Sequence, residues 1–340
     1  MLARGIKIHF AHRTFSWDNE AKGKAAVHCV IIGFGLQDVS PMVNGSKPTD
    51  GGNLILSVGN KADLISKEPQ AALWIKPFAM GEEFINGVAR YCLWLVDCPP
   101  KVLRTMPEVL KRVEAFKTMR LANADAKTRK DADSPTLFQK IRQPKTSYLA
   151  LPRVSSERRA FIPIAYASSD LIAGDKLQTI PNASLYEFGV ITNCMHMAWM
   201  RTTAGRLKSD FQFSAKITYN NFPWPECRSD LQIANSDSAM TAASRDELRA
   251  YQNIETAAQA LLDARAVQTN ASLADLYDPL TMPANLLKAN QVLDKAVDAA
   301  YGYKGANTDA ALVAFLFERY QKITSLPPIA DKPKKARRKI

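Results

Sequence analysis

The chain is 340 residues long, 46% hydrophobic and 9% aromatic, with a formal charge of +12 at pH 7; this suits a globular protein of about two domains. No apolar run approaches the roughly 20 residues that span a bilayer, and Met1-Leu2-Ala3-Arg4-Gly5-Ile6-Lys7 lacks the apolar segment of an export signal. The five cysteines (Cys29, Cys92, Cys98, Cys194, Cys227) form no CxxC pair and no Cys/His quartet, which argues against zinc, favours a reducing cytoplasm, and makes most of them small buried hydrophobes.

In chain order, Ile6–Phe10 alternates and Ala26–Phe34 is a β-branched run, so the first 35 residues read as two strands. Two strands cannot bury both their faces, which suggests the edge of a larger sheet. Gly45, Pro48, Asp50, Gly51 and Gly52 mark loops before the apolar run Leu54-Ile55-Leu56. Residues 90–96 read as a buried strand stopped by Pro99-Pro100. From Pro107 to Lys130 the pattern is helical, with Val109, Leu110, Val113, Phe116, Met119 and Leu121 on one side and Lys/Arg on the other. Ser147–Leu151 and Ala160–Tyr166 are strand candidates joined by a loop, and residues 185–201 form a hydrophobic helix closed near Gly205.

After Pro225 the pattern becomes wholly helical. Ser244-Arg245-Asp246-Glu247 has capping-box spacing and opens a helix of about 24 residues. Pro283 suits the first turn of a second helix, to Tyr301, and Asn307 or Thr308 can cap a third, to Ile323. Residues 327–340 lack apolar periodicity and are expected to be a disordered basic tail. The positive charge is regional: residues 101–160 carry 15 Lys/Arg against 6 Asp/Glu, whereas residues 228–330 carry 9 against 12. An anionic partner on the middle of the chain fits this, as does a solvated basic helix face.

Amino methyltransferases acting on DNA use an (Asp/Asn)-Pro-Pro-aromatic tetrapeptide to hold the amine of a flipped base and stack on it, and a Gly-rich turn to hold the cofactor. Three stretches imitate these motifs. Asp97-Cys98-Pro99-Pro100 has an intervening cysteine and is followed by Lys101. Asn221-Phe222-Pro223-Trp224 has its aromatic where the first proline belongs. Ile32-Gly33-Phe34-Gly35 opens no helix. All three read as strand ends and turns. The four histidines have no metal-ligand spacing, and His196 reads as a satisfied core residue, so no catalytic or metal-binding residue is expected.

Five stretches, in this order and spacing, resemble the MmeI-like family of single-chain restriction–modification proteins and their orphan DNA methyltransferase relatives. They are residues 10–21 (Phe-Ala-His-Arg-Thr-Phe-Ser-Trp-Asp-Asn-Glu-Ala), 50–57 (Asp-Gly-Gly-Asn-Leu-Ile-Leu-Ser), 153–159 (Arg-Val-Ser-Ser-Glu-Arg-Arg), 195–201 with 205–210, and 219–225 (Tyr-Asn-Asn-Phe-Pro-Trp-Pro). The resemblance implies an α+β architecture. Residues 1–40 would be a residual β-hairpin edge of a class I methyltransferase sheet, 41–228 a mixed α/β target recognition domain, and 235–325 a small C-terminal helical domain. It further implies a complete enzyme that uses S-adenosylmethionine to methylate adenine at N6, with double-stranded DNA as partner. The cofactor loop and catalytic tetrapeptide are expected to lie upstream, possessed by a methyltransferase portion that could be separately encoded; this chain by itself would hold no cofactor and be inactive.

Arg153, Arg158 and Arg159, with Ser155 and Ser156 between them, suit phosphate oxygens or guanine edges; a solvated basic hairpin is the plainer reading. Arg206, Lys208, Asp210 and Gln212 alternate beyond Gly205 and would share one face if extended, a mixed set suited to base edges. Asn220 and Asn221 could read adenine or simply form the turn before Pro223. A stand-alone nucleic-acid-binding protein without enzymatic partner, and an inert remnant of a split gene, are the alternatives to a recognition module.

Overall fold

The computed structural model describes residues 39–227 and 241–324 in full, with the backbone of four strands nearer the N-terminus. Those strands form two nested antiparallel ladders: Lys7–Ala11 pairs with Ile32–Gly35, and Phe15–Trp17 pairs with Val27–Cys29. A hairpin is thus present, but the β-branched run over 26–34 contributes to both ladders instead of forming one strand. The expected basic tail lies outside the described residues.

The protein is α+β, with small sheets and separate helices. Residues 54–138 build a first core around Leu54, Phe78, Leu93, Val113 and Phe116. Its sheet has the order Ile172–Ala173, Ile75–Ala79, Tyr91–Leu93, Ile55–Leu56, and the first pair is parallel. The expected strand over 90–96 is therefore reduced to three residues. Asp50 is buried and anchors the turn before Ile55: its Oδ2 accepts from the backbone N–H groups of Leu54 (2.8 Å) and Ile55 (2.9 Å).

The helix Pro107–Leu121 begins where the buried Glu68 carboxylate accepts from the backbone of Glu108 and Val109, two donors that a helix start leaves free. It stops at Leu121 instead of reaching Lys130, because Asp125 accepts from the N–H groups of Lys127 and Thr128 and caps a separate turn, Ala126–Lys130. Arg120 departs from the expected basic outer face. It is 1% exposed, lies 3.8 Å from the Phe116 ring, and donates to the carbonyls of Asp131, Ser134 and Leu137.

A second sheet, wholly antiparallel, has the order Ala165–Ala167, Tyr148–Pro152, Leu177–Pro181, Val43–Asn44. The expected strand over 160–166 forms only at its end. On this sheet's core lie two helices, Leu185–Thr192 and Cys194–Thr203, where the apolar pattern suggests one. Ser184 and Glu187 cap the first reciprocally, and Asn193 starts the second by accepting from His196 N at 2.8 Å. The second stops at Ala204, close to the expected end.

The C-terminal helices are Ala242–Ala266, Leu273–Leu276, Ala284–Tyr301 and Asp309–Thr324. The first starts before the expected box, with Thr241 as its cap. Helices 242–266 and 284–301 press on the helix 185–192 so closely that a Cβ on Gly189 would meet Ile254 Cγ2 at 2.8 Å and Leu293 Cδ1 at 3.2 Å. Ile254, Leu261, Leu293 and Leu316 join Leu149, Phe188 and Trp199 in one continuous core. Arg265 strengthens this junction by donating to Ile164 O (2.5 Å) and to Tyr277 OH (2.6 Å), and Tyr301 OH donates to Pro223 O (2.9 Å).

His196 lies inside this core against Phe213 and Phe222. Its core position is as expected; the Ile191 backbone is the polar group that faces the ring, though neither ring nitrogen makes a hydrogen bond of ordinary geometry. Burial lowers its pKa to about 4. The folded protein therefore resists a proton that the unfolded chain takes up near pH 6.5: the stability is complete above that value and falls as pH drops toward 4. Asp298, raised to about 6 by burial and by Asp294, titrates in the opposite sense. Comparison with His196→Leu isolates the histidine. The parent is expected to lose about 2 kcal/mol more than the variant between pH 7 and pH 5 in urea unfolding; equal losses would contradict the assignment.

Candidate nucleic-acid interface

Between Tyr148–Pro152 and Ala165–Ala167 the chain leaves the second sheet to make the short strand Val154–Ser155. This strand pairs with Asp210–Gln212, which pairs in turn with Gly205–Leu207. Two segments some 50 residues apart, 153–159 and 205–212, thus form a single three-stranded antiparallel surface. Backbone bonds seat it on the second sheet: Arg153 N donates to Lys176 O (2.8 Å) and Phe213 N to Arg153 O (2.8 Å). Gln178 Nε2 donates to Phe213 O (2.9 Å).

The register decides which side chains share a face, because residues directly opposite in an antiparallel pair point the same way. Ser155, Phe211 and Arg206 lie opposite one another, as do Val154, Gln212 and Gly205. Phe211 and Ser155 are 4% and 6% exposed, so theirs is the inner face. Gln212, Asp210 and Leu207 belong to the outer face.

The sequence run 206–212 is therefore a hairpin turning at Lys208-Ser209, not one extended strand, and Arg206 does not share a face with Asp210 and Gln212. Lys208 takes φ +56°, a left-handed conformation uncommon for a residue with a side chain. Arg206 serves the hairpin itself. Its guanidinium stacks 3.8 Å from the Phe211 ring, donates to Ser209 O (2.7 Å) and lies 3.7 Å from the Glu157 carboxylate.

Asp210 Oδ1 accepts from Glu157 N at 3.4 Å, joining the hairpin to the neighbouring loop. Its other carboxylate oxygen, the Gln212 amide and the Lys208 ammonium make no hydrogen bond among the described residues, and Lys208 is exposed. In the loop, Ser156 forms the turn: its Oγ accepts from Arg158 N and its carbonyl from Arg159 N. Ser155 is buried, so the pair of accessible hydroxyls expected here is not present. Arg158 is exposed and has no acidic partner among the described residues, Arg153 is half-buried, and Arg159 tucks a buried Nε inward.

Asn220 and Asn221 do not join this surface. The Asn221 amide donates to the carbonyls of Lys216 and Ile217, closing the π-helical turn Ala215–Tyr219, and Asn220 follows that turn directly. Of the three stretches that imitate catalytic motifs, Pro100 opens the short helix Pro100–Leu103, Phe222 and Trp224 lie in the core, and Ile32–Gly35 is a strand paired with Lys7–Ala11. Among the described residues no group of three or more His, Cys, Asp and Glu is placed to hold a metal. Cys92 and Cys227 are buried, while Cys98 and Cys194 are half-buried, fewer fully buried than expected. Burial pushes the Cys92 thiol well up, away from nucleophilic thiolate. Sequence reasoning missed Glu157 and Phe211, whose partners become visible only once the two segments pair.

Known proteins resemble this chain along most of its length. Residues 34–226 match the family described as the MmeI target recognition domain, residues 247–326 the MmeI C-terminal domain, and residues 1–44 the MmeI DNA-methyltransferase domain. The chain is 32% identical over 360 residues to DNA methyltransferase A of Bacillus subtilis (strain 168), a match covering 94% of this chain and 39% of that relative. It also resembles a solved structure of the Type IIL restriction-modification enzyme MmeI in complex with DNA, with a TM-score of 0.77 and 41% identity over 96% of this chain and 47% of that one. The chain spans less than half the length of both relatives.

Proposed function

We propose, because this chain belongs to the MmeI family and carries that family's target recognition domain, that it selects the DNA sequence at which an S-adenosylmethionine-dependent adenine-N6 methyltransferase acts. The observation that carries the reading is the pairing of Val154–Ser155 with the hairpin 205–212. It sets unpaired cations of the 153–159 loop beside an outer face bearing Asp210, Gln212 and, at the turn, Lys208. A two-stranded ribbon fits the major groove, where a carboxylate can accept from cytosine N4, an amide can bridge adenine N6 and N7, and a lysine can donate to guanine. Arg158 suits a phosphate, which fixes position without reading sequence.

The 340 residues contain no (Asp/Asn)-Pro-Pro-aromatic tetrapeptide. Ile32–Gly35, the stretch nearest to a cofactor loop, is a strand paired with Lys7–Ala11 rather than a turn opening a helix, and does not fit S-adenosylmethionine. On this reading, methyl transfer and cofactor binding fall to a methyltransferase portion acting with this chain, whether in one polypeptide or as a separate partner. The chain by itself is inactive.

Arg158→Ala tests the backbone role. Affinity is expected to fall about equally for unrelated duplexes, and the slope of log K against log salt to shrink by roughly one unit. Fluorescence anisotropy on two duplexes across a salt series measures both. Loss confined to one sequence would assign Arg158 to base reading instead.

A further inference from the structure

A second concave surface lies beside the recognition sheet. The edge strand Val43–Asn44, Arg142 and Gln143, Pro181 and the π-helical turn Ala215–Tyr219 enclose an open groove of about 670 Å3. Its walls are largely apolar, no lining residue carries a carboxylate, and two carry positive charge, Arg142 and Lys216. Neither cation has an acidic partner among the described residues, and the Asn44 and Asn220 side-chain amides make no hydrogen bonds there.

The backbone beneath these free groups is firmly held. Arg142 N donates to Ser46 Oγ (3.0 Å), while the Gln143 side chain donates to the carbonyls of Ser169 and Leu171 and accepts from Ala173 N. Across the groove, the turn carrying Lys216 is pinned by Asn221, by Trp199 Nε1 donating to Thr218 O (2.9 Å), and by Tyr219 OH donating to Ser40 O (2.8 Å). The turn begins three residues after Gln212, so a short connection joins one wall of the groove to the reading strand. Unpaired cations and amides on a rigid base are organised in advance for an anion, and the apolar walls suit the sugars between phosphates.

We propose that this groove holds the sugar–phosphate backbone of duplex DNA flanking the bases read by the hairpin, with Arg142 and Lys216 each meeting a phosphate and Asn220 donating beside them. The inference rests on the DNA-reading function above.

The test measures the full chain on two unrelated duplexes by anisotropy across a salt series. The parent is compared with Arg142→Ala/Lys216→Ala, Arg142→Lys/Lys216→Arg and Arg158→Ala. The alanine pair should bind both duplexes on the order of 10- to 100-fold more weakly at 0.1 M salt, with the salt slope reduced by about two units. The charge-keeping pair should retain the parental slope. If the alanine pair binds as the parent does while Arg158→Ala is weakened, the groove inference is overturned and the reading function stands. Loss of the slope in the charge-keeping pair would make the role structural and overturn it too. A fall in self-association without weaker DNA binding, seen by sedimentation velocity, would give the groove to a second copy of the chain and overturn it. A parental chain that binds no duplex would overturn the reading function and this inference together.

Discussion

A chain ending at Cys227 is expected to aggregate or to lose cooperative folding, even though it keeps every residue of the recognition sheet. The reason is the core that segments 149–227 and 251–316 share. Without the C-terminal helices, the helix Leu185–Thr192 loses Ile254, Ala258 and Leu293, which pack against Gly189 and its neighbours. Each large apolar side chain re-exposed costs about 1.5–3 kcal/mol, and a typical domain holds only about 5–15 kcal/mol of net stability. Ile164 O also loses the Arg265 guanidinium, and Pro223 O loses the Tyr301 hydroxyl, leaving buried acceptors without donors. Light scattering and thermal melting followed by circular dichroism would measure the outcome. A monomer with a sharp melt near the parental temperature would show that the recognition segment folds on its own, and that the shared core is dispensable.

That dependence was poorly legible in the sequence, although its parts were visible. Pro283, Thr308 and the charge pattern after Pro225 announce helices, because caps and first-turn residues act locally. Which face of Leu185–Thr192 those helices cover is a long-range matter, and Gly189 gives no local sign of it. The break at Asn193 was hidden for a related reason: the apolar residues continue through it, and an asparagine starts a new helix only when its side chain turns back to the His196 N–H. Arg120 resembles any exposed basic residue until the carbonyls of Asp131, Ser134 and Leu137 surround it.

The candidate site was half visible. Residues 153–159 and 205–212 stand out by charge and composition, but nothing local says that they pair. The turn inside 206–212 was missed because Lys208-Ser209 lacks the Asn-Gly or Asp-Gly signal of a tight hairpin, and Lys208 adopts positive φ within the surrounding sheet. Reading the segment as one strand put Arg206 with Asp210 and Gln212. The hairpin instead makes Arg206 a brace on Phe211 and leaves the two polar residues on the outer face.

The most direct measurement of sequence reading follows from that division. The chain, Asp210→Ala, Gln212→Ala and Arg158→Ala would each be used to select duplexes from a random pool, with the recovered DNA sequenced. If the outer hairpin face reads bases as proposed, loss of the Asp210 carboxylate or the Gln212 amide removes one contact to a base edge, worth about 1–3 kcal/mol of discrimination at one base pair. Each of these variants is expected to relax or change the preference at one or two positions and to keep the rest of the recovered sequence. Arg158→Ala should recover the parental sequence with weaker binding throughout. Parental preferences in both the Asp210 and Gln212 variants, with an altered preference in Arg158→Ala, would contradict the assignment of the outer hairpin face to base reading.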